Sequence, residues 1–173
     1  MKRRELEVAL RAAARVSREH EFFLIGSQAV HASCRRPPAE VLLSQECDLY
    51  PRNHTGTAGL LHFELGRGSK FARRHGFYVD VVSPEIASLP NGWEKRLKPL
   101  RLAGVTAYCL ELHDLLVSKL AAGRLKDLEF AGAVLKRRIA DATSLRRRIN
   151  QFPLEHERPR LRAQLSLVLL NLR

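Results

Sequence analysis

FFLIGSQAVHASCRRPPAEVLLSQECDLY, residues 22–50, decides how this chain folds, because it passes from strand to helix and back to strand. FFLI at 22–25 is a short continuous apolar run, the pattern of a strand covered on both faces. Gly26 followed by SQAVHAS reads as a turn into a helix beginning at Ser27. Arg35-Arg36-Pro37-Pro38 is a loop by its prolines, and VLLSQECDLYP, 41–51, is a second strand that Pro51 stops. Alternate side chains of a strand share a face, so Glu46 and Asp48 point together while Cys47 and Leu49 point the other way.

Working outward, FYVDVV at 77–82 is a third strand with Asp80 between valines, and 99–109 forms one or two more short strands around Gly104. Residues 3–20 carry Leu6, Ala9, Leu10, Ala13, Ala14 and Val16 near helical spacing and predict an amphipathic helix on the sheet. Residues 52–76 are rich in glycine, with a helix-like patch at 58–65. The run RGSKFARRHG then offers Arg67, Lys70, Arg73 and Arg74 as a basic connection near the active face. SPEIASLPNGWEKRL reads as a short helix and a turn. From Leu110 the period becomes helical, with two helices broken near Gly123 and two more over 144–150 and 158–172. The expected fold is α/β of the α+β kind: a small mixed sheet with flanking helices over 1–109, then a helical bundle over 110–173 packed on it.

Thirty Lys and Arg against eighteen Asp and Glu give a net charge of +12, which points to a polyanionic partner, nucleic acid first. The competing reading is a basic surface of an arginine-rich proteome. Residues 136–173 hold ten Lys or Arg against three acids, which favours an RNA such as tRNA over a small metabolite. Cys34, Cys47 and Cys109 have no zinc-binding spacing and read as reduced core thiols of a cytoplasmic protein. No apolar run is long enough for a signal segment or a membrane span.

Two carboxylates on one strand face repel unless a cation lies between them, and an all-oxygen set suits Mg²⁺, or Mn²⁺ in its place. Asp80 is the natural third ligand, or the base that activates an attacking hydroxyl. A solvated edge strand is the plain alternative for Glu46 and Asp48. Gly26 lets a phosphate approach the backbone, and the Ser27 hydroxyl can donate to it; a simple Ser-capped turn is the plainer reading of an isolated Gly-Ser, but the spacing to Glu46 and Asp48 favours the phosphate site. Lys119 is a cation in an apolar helical run, placed either to reach a phosphate or to snorkel at a helix edge. His31 and His113 read as packing or capping residues. Trp93 and Tyr78 read as core residues, with base stacking as their alternative.

Together, Gly-Ser-x-Ala at a strand–helix junction, an acidic-x-acidic pair on the next strand and a later third Asp resemble the minimal nucleotidyltransferase domains of the polymerase-beta superfamily. LHDLLVSKLAAGRLKD, 112–127, is similar to the D-L-x-x-x-K-L-x-A-x-R-x-K-D segment of AbiEii-like nucleotidyltransferases of bacterial toxin–antitoxin modules. The resemblance implies a metal site at Glu46, Asp48 and Asp80. It implies triphosphate binding at Gly26 and Ser27, and service to the nucleotide by Lys119 and Asp127, with Asp80 and Lys119 catalytic. The expected activity is Mg²⁺-dependent transfer of NMP from an NTP to an acceptor hydroxyl of RNA, with a cognate toxin or antitoxin as a further partner. The alternatives are a non-catalytic, antitoxin-like or nucleic-acid-binding member, and a transferase acting on a partner protein or small molecule. Two positions depart from the family pattern: Glu46 replaces the commoner Asp, and Val30 stands where many members carry Arg.

Overall fold

The computed structural model describes residues 1–172. The first helix, α1 (Arg3–Ser17), buries Leu6, Ala9, Leu10, Ala13 and Ala14 of the stripe its spacing predicts, while Val16 is only partly buried against the core and Ser17 is buried instead. Strand β1 (Glu21–Leu24) follows, and the turn after Gly26 is a 3₁₀ segment, Ser27–Ala29, that runs into the single turn of α2 (Val30–Ser33). Strand β2 (Glu46–Pro51) starts later than the apolar run at 41–43 suggests. That run forms a 3₁₀ turn, Ala39–Leu42, and the amino group of Met1 donates to the carbonyls of Leu42 and Ser44, which takes their backbone out of the ladder. Then come α3 (Ala58–Leu65), α4 (Lys70–His75), which gives the basic connection a helix of its own, and β3 (Tyr78–Val81). A hairpin, β4 (Lys98–Leu102) and β5 (Val105–Cys109), completes the sheet. Four helices end the chain: α5 (Leu112–Ala122), α6 (Leu125–Lys136), α7 (Ala142–Ile149) and α8 (Arg158–Leu170). Gly123, at φ 64°, closes α5 in the left-handed conformation a glycine adopts without strain, so the break falls where the sequence places it.

The five strands make one mixed sheet in the order β3-β2-β1-β5-β4, with β2–β3 and β1–β5 parallel and the other two pairs antiparallel. One face carries Phe22, Leu24, Cys47, Leu49, Val79 and Ala107, all fully buried where α1 and α3 cover the sheet. Full burial of a side chain such as Leu or Phe is worth about 1.5–3 kcal/mol, so this face alone supplies much of the driving force. Cys47 and Cys109 belong to it, whereas Cys34, read from the sequence as a core thiol, is only half-buried beyond the end of α2. The opposite face alternates polar and aromatic side chains and stays partly open.

The helical part docks through α5 against Ser27–Ala29 and through α6 against Ala39–Leu42, so it closes over the same sheet end that carries Glu46. Asp114, fully buried at the start of α5, accepts from Nε and Nη2 of Arg96 at 2.9 and 3.0 Å, with Nε of Arg148 on α7 at 3.2 Å. One carboxylate thus ties the segment before β4 to two helices. Its removal leaves two guanidinium groups without their buried counter-charge, and Asp114→Ala is expected to cost about 3 kcal/mol, read as a lowered urea midpoint. Among the described residues no helix is long and apolar enough to cross a membrane.

Candidate active site

The register of β2 on β3 sets Glu46 beside Tyr78 and Asp48 beside Asp80, a two-by-two array on the partly open face. The Tyr78 hydroxyl donates to Glu46 Oε1 at 2.8 Å, and Lys126 Nζ lies 3.6 Å from Glu46 Oε2. Burial, followed by the charges of Glu46 and Asp80, pushes the Asp48 carboxyl up to about 6, although Lys119 and Lys126 pull the other way. Asp48 is therefore a carboxylate held where its charge is costly. The Ile25 amide donates to the Asp48 carbonyl at 3.1 Å, which seats the next residue, Gly26, directly against the Asp48 side chain. A Cβ on Gly26 would stand 1.5 Å from Asp48 Oδ2, so the glycine makes room for that carboxylate. Gln28 fixes the same junction, its amide donating to the carbonyls of Ser44 and Glu46 at 3.3 and 3.2 Å.

Across from the sheet, Lys119 Nζ donates to Asp127 Oδ1 at 2.9 Å and Arg124 Nε to Asp127 Oδ2 at 2.6 Å. Burial raises the affinity of Asp127 for a proton, but the bonds from Arg124 and Lys119 outweigh it and hold the carboxyl below its usual range. The Lys119 ammonium also lies 4.5 Å from the centroid of the Phe130 ring. Asp127 thus fixes Lys119 in a half-closed wall between two cavities. The smaller, about 270 Å³, is lined by Gly26, Ser27, Asp48, Ser118, Lys119 and Arg124. The larger, about 780 Å³, shares Ser27, Lys119, Lys126 and Asp127 with it and opens past Glu46 and Tyr78 onto Val41, Leu128 and Val168.

Six of the positions singled out from the sequence, Gly26, Ser27, Glu46, Asp48, Lys119 and Asp127, line these two cavities. Asp80 joins them through its register with Asp48. Among the described residues no three His, Cys, Asp or Glu are gathered closely enough to cage a metal ion. The oxygens of Asp48 and Asp80 nevertheless suit Mg²⁺, which takes one or two carboxylates and completes its shell with phosphate and water. Glu46 is turned to Tyr78 and Lys126, so its approach to a metal there would exchange one cation for another. Tyr78, which sequence reasoning placed in the core, is instead a partly buried neighbour of Glu46 on the wall of the larger cavity. Only the register could have shown it, since its sequence distance from Glu46 carries no signal. His31 is buried with Nε2 3.1 Å from the Met1 carbonyl, and His113 bonds Glu111, so both are structural. Trp93 packs edge-on against Phe23 at 6.0 Å between ring centroids.

The profile of the family described as "Nucleotidyltransferase of unknown function (DUF6036)" matches residues 42–155, well over half the chain. The chain belongs to this family. The matched segment contains Glu46, Asp48, Asp80, Lys119 and Asp127, and begins after Gly26 and Ser27. Comparison with curated proteins and with solved structures gave no match. Family membership makes this a nucleotidyltransferase-family protein.

Proposed function

We propose that the protein transfers a nucleoside monophosphate from an NTP to an acceptor hydroxyl, with Mg²⁺ held at Asp48 and Asp80 and shared with the triphosphate. The observation that carries this reading is the register that sets Asp48 beside Asp80 next to a cavity lined by Ser27 and Lys119, because two adjoining carboxylates repel and are stabilised by a divalent cation. When bound, the metal would neutralise charge developing on the transferred phosphoryl group. Ser27 and Lys119, on the wall of the smaller cavity, bind the outer phosphates and offset charge on the leaving pyrophosphate. Asp80 accepts the proton of the acceptor hydroxyl as it attacks the α-phosphorus. The larger cavity, of a size common for organic ligands, takes the nucleoside.

The +12 charge favours RNA, tRNA included, as the acceptor, and the likeness of residues 112–127 to AbiEii-like proteins supports a toxin–antitoxin setting. The test is incubation with each α-labelled NTP, Mg²⁺ and total RNA or total protein. Label on RNA that is lost in Asp48→Asn and Lys119→Met supports the reading; wild-type protein that labels neither RNA nor protein overturns it. A second reading, a regulatory member that binds without turnover, is favoured by the engagement of Glu46 with Tyr78 and Lys126. It requires that Asp48→Asn retain both nucleic-acid binding and biological effect.

A further inference from the structure

The partly open sheet face continues beyond the carboxylates. On β2 the residue that follows Glu46 and Asp48 on the same face is Tyr50, and the registers set Tyr50 beside Phe23 and Phe23 beside Tyr108, one aromatic row across three adjacent strands. Arg52 lies over this row, its guanidinium carbon 4.1 Å from the Tyr108 ring centroid and 5.9 Å from that of Phe23. Glu21 holds it there at 3.2 Å, and about two-fifths of the Arg52 side chain stays exposed, at 39%. On β4 the exposed Arg101 sits beside Thr106, two residues from Tyr108 on the same face. Aromatic rings and guanidinium planes are the surfaces on which unstacked bases stack, and exposed cations beside them accept the phosphates. Two residues along a strand is about 7 Å, so the row begins next to Asp48.

Resting on the nucleotidyl-transfer reading, we infer that Tyr50 and Arg52, backed by Phe23 and Tyr108, form the docking platform for the single-stranded end of an RNA acceptor. The base that flanks the reacting nucleotide stacks on Tyr50 or on the Arg52 plane, and this delivers the terminal hydroxyl to Asp48 and Asp80. The row thus joins three aromatic rings and a partly exposed guanidinium, and it ends at the carboxylates.

The probe is a fluorescein-labelled oligoadenylate, with an abasic oligomer of equal phosphate number as its control, followed by anisotropy at moderate salt. Wild-type protein is expected to bind oligoadenylate about tenfold more tightly than the abasic strand. Tyr50→Ala removes that preference while Tyr50→Phe keeps it; Arg52→Lys, with its charge but no plane, behaves as Arg52→Ala. NTP binding is expected to be unchanged in all four. Equal binding of the two probes by the wild type, or a preference that survives both Tyr50→Ala and Arg52→Ala, overturns the platform. A Tyr50-dependent preference without any NMP transfer leaves the platform standing and removes the transferase reading. Transfer of label to RNA that is indifferent to Tyr50→Ala and Arg52→Ala does the reverse.

Discussion

Asp48→Asn is expected to abolish nucleotidyl transfer and, at the same time, to make the protein more stable at neutral pH. The two effects have one cause. Asp48 sits partly buried between Glu46 and Asp80, and its carboxyl is raised from 3.8 to about 6. A folded value above the unfolded one means that the native state binds the proton more tightly. The contribution of Asp48 to stability is therefore greatest below about pH 4 and is lost as pH rises through 6, above which the ionised side chain is a relative burden of about 2–3 kcal/mol. The amide carries no charge and escapes the burden. The variant should melt roughly 5–10 °C higher than the wild type at pH 7.5, and the gap should close toward pH 4. Added Mg²⁺ should raise the melting temperature of the wild type and leave the variant unmoved. Loss of transfer should reach about a thousandfold, the scale of several kcal/mol of charge stabilisation. An Asp48→Asn protein less stable than the wild type at neutral pH would show that the carboxylate is not strained by its neighbours.

A stability cost borne at one side chain is a usual mark of function, and here it also shows what a sequence can and cannot display. ECDLY and YVDVV are legible because alternation of period two survives any tertiary context that buries one face, and β2 buries Cys47, Leu49 and Pro51 against partly buried Glu46, Asp48 and Tyr50. The apolar run at 41–43 was not legible, because a short apolar run fits a strand and a packed 3₁₀ turn alike, and the Met1 amino group decides between them from more than forty residues away. Asp114 gave no signal for a related reason. Its partners Arg96 and Arg148 lie 18 and 34 residues off, and only the packing of α5 against α7 and against the segment before β4 brings them together. The Lys119–Asp127 pair spans a helix break, so no helical spacing rule foretells it, and the family resemblance was the one route to it from sequence.

Gly26→Ala is expected to remove activity without unfolding the protein, and a second substitution should separate the two consequences. The backbone at Gly26, with φ −97° and ψ −160°, is extended and open to any residue, so conformational freedom is not what the position needs. The need is space. The new Cβ would lie 1.5 Å from Asp48 Oδ2, 2.3 Å from its Cγ and 2.7 Å from its Cβ, all side-chain atoms. Asp48 must swing out of register with Asp80, at a cost of about 1–3 kcal/mol in stability, and the carboxylate pair on which transfer depends is broken up. Activity should fall about a hundredfold or more, because misplacement by a bond length is enough at a reacting centre. In the Gly26→Ala background, Asp48→Ala deletes the two closest contacts and leaves only the one at 2.7 Å. The double variant should recover most of the lost stability in urea unfolding and none of the activity. Double-variant stability no better than that of Gly26→Ala alone would place the collision elsewhere. It would return Gly26 to the role its neighbour Ser27 suggests, a close approach for phosphate rather than a seat for Asp48.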